Sequence, residues 1–243
     1  TPQEVESLFI TLNALITEGR TILYITHKLE EVISICDNVT IMRNGEVIDT
    51  SSTSNFTAKT LATKIDKDPS FIQAILNESK KVVRYRMGVL IVEHKLGFIH
   101  ANAGIDRSNI DQKPDIVLLL PENPDDSAKK ISQSLSEHFQ KNISVIITDT
   151  MGRPFRNGIV GFTIGSHNIE CLLDERGKND LFGNELKVTQ IGIADELAAA
   201  ASLLMGQAAQ KKPVVLIKDY KFNQNNLSDS QSLIRSEDED LFR

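Results

Sequence analysis

Asp149, Thr150, Arg153 and Arg156 fall within one short stretch, directly after the apolar run Ile143-Ser-Val-Ile-Ile-Thr148. A strand that ends in this way delivers a carboxylate, a hydroxyl and two guanidinium groups to a single turn. Oxygen ligands of the Asp and Thr kind suit hard cations such as Mg²⁺ or Mn²⁺. Arginines close by can grip phosphate oxygens through paired hydrogen bonds. Gly152 and Pro154 shape the turn that carries them. The plainer reading is that Asp149 and Thr150 only close a turn, with the arginines in structural ion pairs to Asp174, Glu175 or Asp195.

A second acidic loop, Asn102-Ala-Gly104-Ile-Asp106-Arg-Ser-Asn109, follows the strand-like runs Val89 to Glu93 and Phe98-Ile99. Its small residues allow backbone to approach a ligand closely. Asp106 is then a candidate metal ligand and Asn109 a candidate base or ribose contact. The alternative is an Asx-turn with Gly104 at positive φ. Two carboxylates facing one crevice repel each other unless a cation lies between them. That pairing points to a metal-phosphate centre.

Several further elements must hold these loops. A helix is expected from Thr1-Pro2 to Gly19, with Leu8, Leu12, Leu15 and Ile16 as its stripe. A strand over Thr21 to Thr26, a helix over about Lys28 to Ser34 and strands Asn38 to Met42 and Glu46 to Ile48 follow. Asn44-Gly45 marks the last two as a hairpin, and Thr50 to Asn55 reads as a linker. Character changes near residue 65. Asp68-Pro69 opens a helix expected to reach about Lys81, with Phe71, Ile75 and Leu76 inward. Asp115 to Leu120 reads as a strand, Asp125-Asp126-Ser127 as the cap of a helix carrying Ile131, Leu135 and Phe139, Ala194 to Gln210 as a close-packing helix, and Val214 to Lys218 as a strand.

With 243 residues, 40% hydrophobic and 25% charged, the composition is that of an ordinary globular chain of one or two domains. A net charge of −6 argues against a nucleic-acid partner. Leu8 to Ile16 is interrupted by polar residues and lacks a basic leader, so no membrane span is expected and the cytoplasm is the expected location. The two cysteines, Cys36 and Cys171, read as core residues, and the five histidines show no zinc-hydrolase spacing.

Residues 1–64 resemble the C-terminal part of an ABC-transporter ATP-binding subunit of the sugar-importer type. Thr1-Pro2-Gln3-Glu4-Val5, Ile25-Thr26-His27-Lys28-Leu29-Glu30-Glu31 and Cys36 to Val47 carry the likeness. It implies that His27 matches a γ-phosphate sensor. The chain contains no Gly-x-x-x-x-Gly-Lys-[Ser/Thr] run.

Residues 65–243 resemble the F420-0:γ-glutamyl ligase family. The likeness is carried by Lys67-Asp68-Pro69, Ala101 to Asn109, Leu120-Pro121-Glu122, Ile147 to Arg156, Asp174-Glu175-Arg176-Gly177, Ala194 to Ala198, Met205-Gly206-Gln207 and Leu233-Ile234-Arg235. It implies a mixed α/β body in which Asp106 and Asp149 bind one divalent ion, Mg²⁺ or Mn²⁺, and Thr150 and Gln207 a second. Asn109 is then a contact of the nucleotide, GTP, and the segment around Met205 to Lys212, with Gly206 and Gln207 in it, lies along that nucleotide. The implied reaction adds L-glutamate to coenzyme F420-0 through an acyl phosphate, in a homodimer, with Arg153 and Arg156 inferred from their chemistry to be catalytic. On this reading the family's opening region is replaced by the transporter-like segment. The alternative is a non-catalytic chimeric remnant or a transporter ATPase fragment.

Overall fold

The computed structural model describes residues 2–25, 35–43, 46–52, 65–108, 110 and 116–240. His27, the expected helix over 28–34, the Asn44-Gly45 turn and Asn109 lie outside the described residues. The chain divides into two compact units, Thr1–Ala103 and Gly104–Arg243. The change of character near residue 65 falls inside the first of these.

In the first unit, helix α1 spans Pro2–Thr17 and ends at Gly19, whose φ of 83° suits a glycine. Residues 21–25 form no strand. Strands β1 (Asn38–Arg43) and β2 (Glu46–Ser52) pair antiparallel with Arg43 opposite Glu46, so the expected hairpin is present. It is longer than expected and takes in Thr50, Ser51 and Ser52, which read as linker. Helix α2 spans Pro69–Asn77 and is capped by Asp68, whose carboxylate accepts from Ser70 N and Phe71 N. It buries Phe71, Ile72 and Ile75.

The expected continuation of α2 to Lys81 does not form. Strand β3, Ser79–Arg86, starts there instead and pairs with β4, Val89–His94, which pairs in turn with β5, Ile99–Ala101. Val82, Val83 and Tyr85 are residues that fit a pleated surface, and Leu90 and Val92 of β4 are fully buried. Pairing across the sheet outweighs helical continuation. Buried Glu93 faces Lys80 and Lys81, each at 3.7 Å.

The second unit is built on a long antiparallel ribbon, β6 (Val145–Arg153) and β7 (Arg156–His167), in register from Val145 opposite His167 to Arg153 opposite Arg156. Helices α3 (Pro124–Phe139) and α4 (Ile193–Met205) pack on β7. Two glycines permit this. A Cβ on Gly161 would lie 2.6 Å from Ala198 O, and one on Gly165 2.4 Å from the backbone of Pro124. The helix backbones therefore approach the strand more closely than any side chain allows. Asp195 and Asp125 fasten the contacts by accepting from Thr163 N and Ser166 N. The short strands β8 (Leu173–Asp174) and β9 (Gln190–Ile191) pair beside this ribbon in sequence.

The segment after residue 220 straps onto the chain that leaves β7. Ile169 bridges Ser228, buried Glu170 accepts from Asn223 N and Asn226 Nδ2, and Ser230 Oγ donates to Asp125. Cys171 is fully buried with Ile169 and Ala194, and burial pushes its thiol pKa up. That core role was expected; Cys36 is only half-buried.

Five expectations for this unit are corrected. Of residues 116–120, Leu118 alone bridges another segment, at Asp106, and residues 214–218 form no strand. Apolar runs become strands only where a partner backbone is in reach, and Val214 and Leu216 stay 81% and 73% exposed. Asn123, not the Asp125 group, caps α3 through Asp126 N. Helix α3 buries Pro124, Ala128 and Ser132, while Ile131, Leu135 and Phe139 are exposed, because the close contact at Gly165 selects a face of small residues. Helix α4 stops at Met205, where Gly206 takes φ 75°. Among the described residues no helix is long and apolar enough to cross a membrane.

Candidate functional site

Asp149 lies in the middle of β6, opposite buried Phe162. Its Oδ1 accepts from Thr150 N at 2.7 Å, and its Oδ2 is buried. The acidic loop comes directly against it. A Cβ on Gly104 would stand 3.2 Å from Asp149 Oδ2 and 2.9 Å from Leu120 Cδ1. Only a residue without a side chain lets the loop backbone come this close to that carboxylate edge without a clash. Gly104 has φ 66° and follows Asn102 and Ala103 at φ 50° and 56°, a left-handed run that L-residues adopt at a cost.

Asp106 follows two residues later. Its backbone exchanges hydrogen bonds with Leu118, at 3.1 and 2.9 Å. Its carboxylate accepts from Ser108 N and Ser108 Oγ at 2.6 and 2.8 Å. The Asx-turn with a positive-φ glycine is thus present in the geometry, with Asp106 exposed at its head. The loop brings Gly104 to Asp149 and holds Asp106 on the adjoining backbone.

Thr150 is half-buried opposite Gly161. Met205 and Gly206 close α4 and, with Ala208, Lys211, Lys212 and Pro213, line a cleft of ≈ 490 Å³. Gln207 is exposed beside them. Gln210 turns back, its Oε1 accepting from Ala208 N at 2.7 Å. Lys211 and Lys212, the last residues of the segment that the resemblance lays along the nucleotide, put two cations on the wall of this cleft.

Arg153 and Arg156 face each other across the end of the ribbon. The structural alternative for them is not realised. Asp174 pairs with Arg176, Glu175 with Lys178, and Asp195 accepts from Thr163 N. Arg176 holds the Asp174 carboxyl down at about 2, through its side chain first and its backbone N–H second. Arg153 is half-buried, its Nε is buried without a hydrogen-bond acceptor, and Arg156 is exposed.

A family model described as F420-0:Gamma-glutamyl ligase matches residues 11–219. The chain belongs to that family. Within it, the chain is 42% identical over 214 residues to a coenzyme F420:L-glutamate ligase of Methanocaldococcus jannaschii, covering 88% of this chain and 84% of the relative. It is 43% identical over 220 residues to the protein of that name from Methanococcus maripaludis, covering 89% and 86%. To that of Methanopyrus kandleri it is 41% identical over 223 residues, covering 89% and 87%. The family match begins at residue 11 and so runs through the segment with the transporter-like wording. Nothing in these comparisons supports the transporter resemblance.

The donors fit the ions that the family resemblance implies. Asp106, Asp149, Thr150 and Gln207 offer only oxygen or amide groups, the hard set that Mg²⁺ and Mn²⁺ take with retained water. Among the described residues no group of three or more His, Cys, Asp and Glu side chains gathers at one point.

Proposed function

We propose that this chain ligates L-glutamate to coenzyme F420-0 at the expense of GTP, acting as a cytoplasmic homodimer. The carrying observation is the family match across the segments that hold Asp106 and Asp149, combined with the close approach of the Gly104 backbone to the Asp149 carboxylate. A carboxylate oxygen of the coenzyme attacks the γ-phosphorus, GDP leaves, and an acyl phosphate results. The amine of glutamate then attacks the acyl carbon, phosphate leaves, and the amine gives up a proton.

Asp106 and Asp149 would hold one divalent ion, and Thr150 and Gln207 a second. Such ions supply charge neutralisation for one anion attacking another. Asn109 would contact the nucleotide, which lies along Met205, Gly206 and Gln207. Lys211 and Lys212 on the same cleft add positive charge for its phosphates. Arg153 and Arg156 act on substrate oxyanions.

The test is incubation of the full chain with F420-0, GTP, Mg²⁺ or Mn²⁺ and L-glutamate, followed by mass spectrometry. A product heavier by one glutamyl residue is expected, and Asp149→Asn should abolish it without lowering the thermal midpoint appreciably. Absence of product from the unaltered chain under all metal conditions refutes the proposal.

A further inference from the structure

The end of the β6–β7 ribbon, Arg153-Pro154-Phe155-Arg156, concentrates several costs on four residues. Phe155 is 98% exposed. It also sits at φ 57°, the position of a turn after proline that glycine or asparagine ordinarily takes. A bulky aromatic there is strained and leaves its ring in water. Arg153 and Arg156 stand directly opposite one another, and like charges in register repel. Among the described residues neither makes an ion pair, and the buried Nε–H of Arg153 has no acceptor. Glycine at 155 and an acid at 153 or 156 would relieve all of this locally.

Backbone strain of this kind clusters at active sites and ligand clamps. The exposed groups specify the ligand's chemistry. An open phenyl face stacks on a flat ring, and two guanidinium groups flanking it pair with a phosphate or carboxylate. Pro154 holds the turn, so the ring is presented at little further entropic cost.

We infer that the tip Arg153-Pro154-Phe155-Arg156 is a recognition site for a planar heteroaromatic ring joined to a phosphate, with Phe155 stacking on the ring and the arginines on the anion. This deepens the ligase reading and rests on it. Both the deazaflavin coenzyme and the guanine nucleotide have that chemistry, and direct binding separates them. Phe155 is a recognition residue here and takes no part in bond making.

The full chain is titrated with F420-0, followed by deazaflavin fluorescence, and separately with GTP by calorimetry. Phe155→Gly should weaken one of the two about tenfold while the other changes by less than about twofold. The ligand that weakens is the one seated on the tip. Phe155→Tyr should bind like the unaltered chain. Because glycine relieves the positive φ, the thermal midpoint of Phe155→Gly should stay level or rise. Affinities unchanged for both ligands overturn the inference. So does an equal loss for both with a lowered midpoint, which would mark Phe155 as structural. If glutamylation is absent but the binding effect stands, the ligase reading fails and the tip assignment survives.

Discussion

Gly104→Ala is the sharpest probe of how the acidic loop serves Asp149. The added methyl group would lie 2.9 Å from Leu120 Cδ1, 3.1 Å from Leu120 Cγ and 3.2 Å from Asp149 Oδ2. Leu120 can yield at its end, so the overpacking cost belongs near the low end of ~1–3 kcal/mol. Alanine at φ 66° adds about 1–2 kcal/mol of backbone strain. Together these give about 2–4 kcal/mol. For a chain of this size that is a fall in thermal midpoint of roughly 4–16 °C. The methyl group also displaces the Asp149 carboxylate edge, so the Mg²⁺ concentration for half-maximal glutamylation should rise by roughly tenfold or more. Thermal melts followed by circular dichroism and a metal titration of turnover measure the two effects. Gly152→Ala, where a Cβ meets nothing within 4 Å, serves as the control and should leave both unchanged. Leu120→Ala in the Gly104→Ala background should return part of the stability by making room, leaving the backbone strain. A Gly104→Ala chain that melts and responds to metal like its parent would refute the argued closeness of loop and carboxylate.

Two further outcomes follow from the hydrogen-bond pattern. Asp125 accepts from Ser166 N, Ser230 N and Ser230 Oγ at 2.7, 3.2 and 2.9 Å, joining α3 to β7 and to the terminal strap. Asp125→Ala should cost about 2–5 kcal/mol in urea unfolding, and a loss under about 1 kcal/mol would show that water replaces the carboxylate. Asp174 and Arg176 form an exposed pair, with the carboxyl held at about 2 against an ordinary 3.8. A depressed carboxyl favours the folded chain above pH 3.8, and the advantage disappears as pH falls toward 2. Arg176→Ala should therefore move the Asp174 titration, read by carboxyl ¹³C NMR, back toward its ordinary range, and an unmoved titration would place the cause elsewhere.

Local signals were legible where the chemistry is local. Asp68-Pro69 starts a helix because a carboxylate and a proline satisfy the first turn without help from elsewhere. Arg43 and Glu46 end up opposite one another because a two-residue Asn-Gly connection leaves little choice of register. The alanine-rich run from Ala194 packs closely, as small residues permit, with Gly161 against Ala198. The runs 116–120 and 214–218 do not become strands, for the opposite reason. A strand is a pairing, and no run of Val, Leu and Ile records whether a second backbone will reach it.

The site divides along the same line. Residue types alone pointed to hard oxygen donors at Asp106, Asp149 and Thr150 and to guanidinium groups at Arg153 and Arg156, while the nucleotide role of the segment around Met205 to Lys212 came only from the family resemblance. Tertiary structure decided that Gly104 is the residue touching Asp149, that Asp174, Glu175 and Asp195 are engaged elsewhere, and that Phe155 stands alone in solvent between two arginines. Side-chain chemistry is a property of each residue and can be read one position at a time. Proximity, burial and the sign of φ are properties of the folded backbone, set by long-range packing that no short window of residues contains.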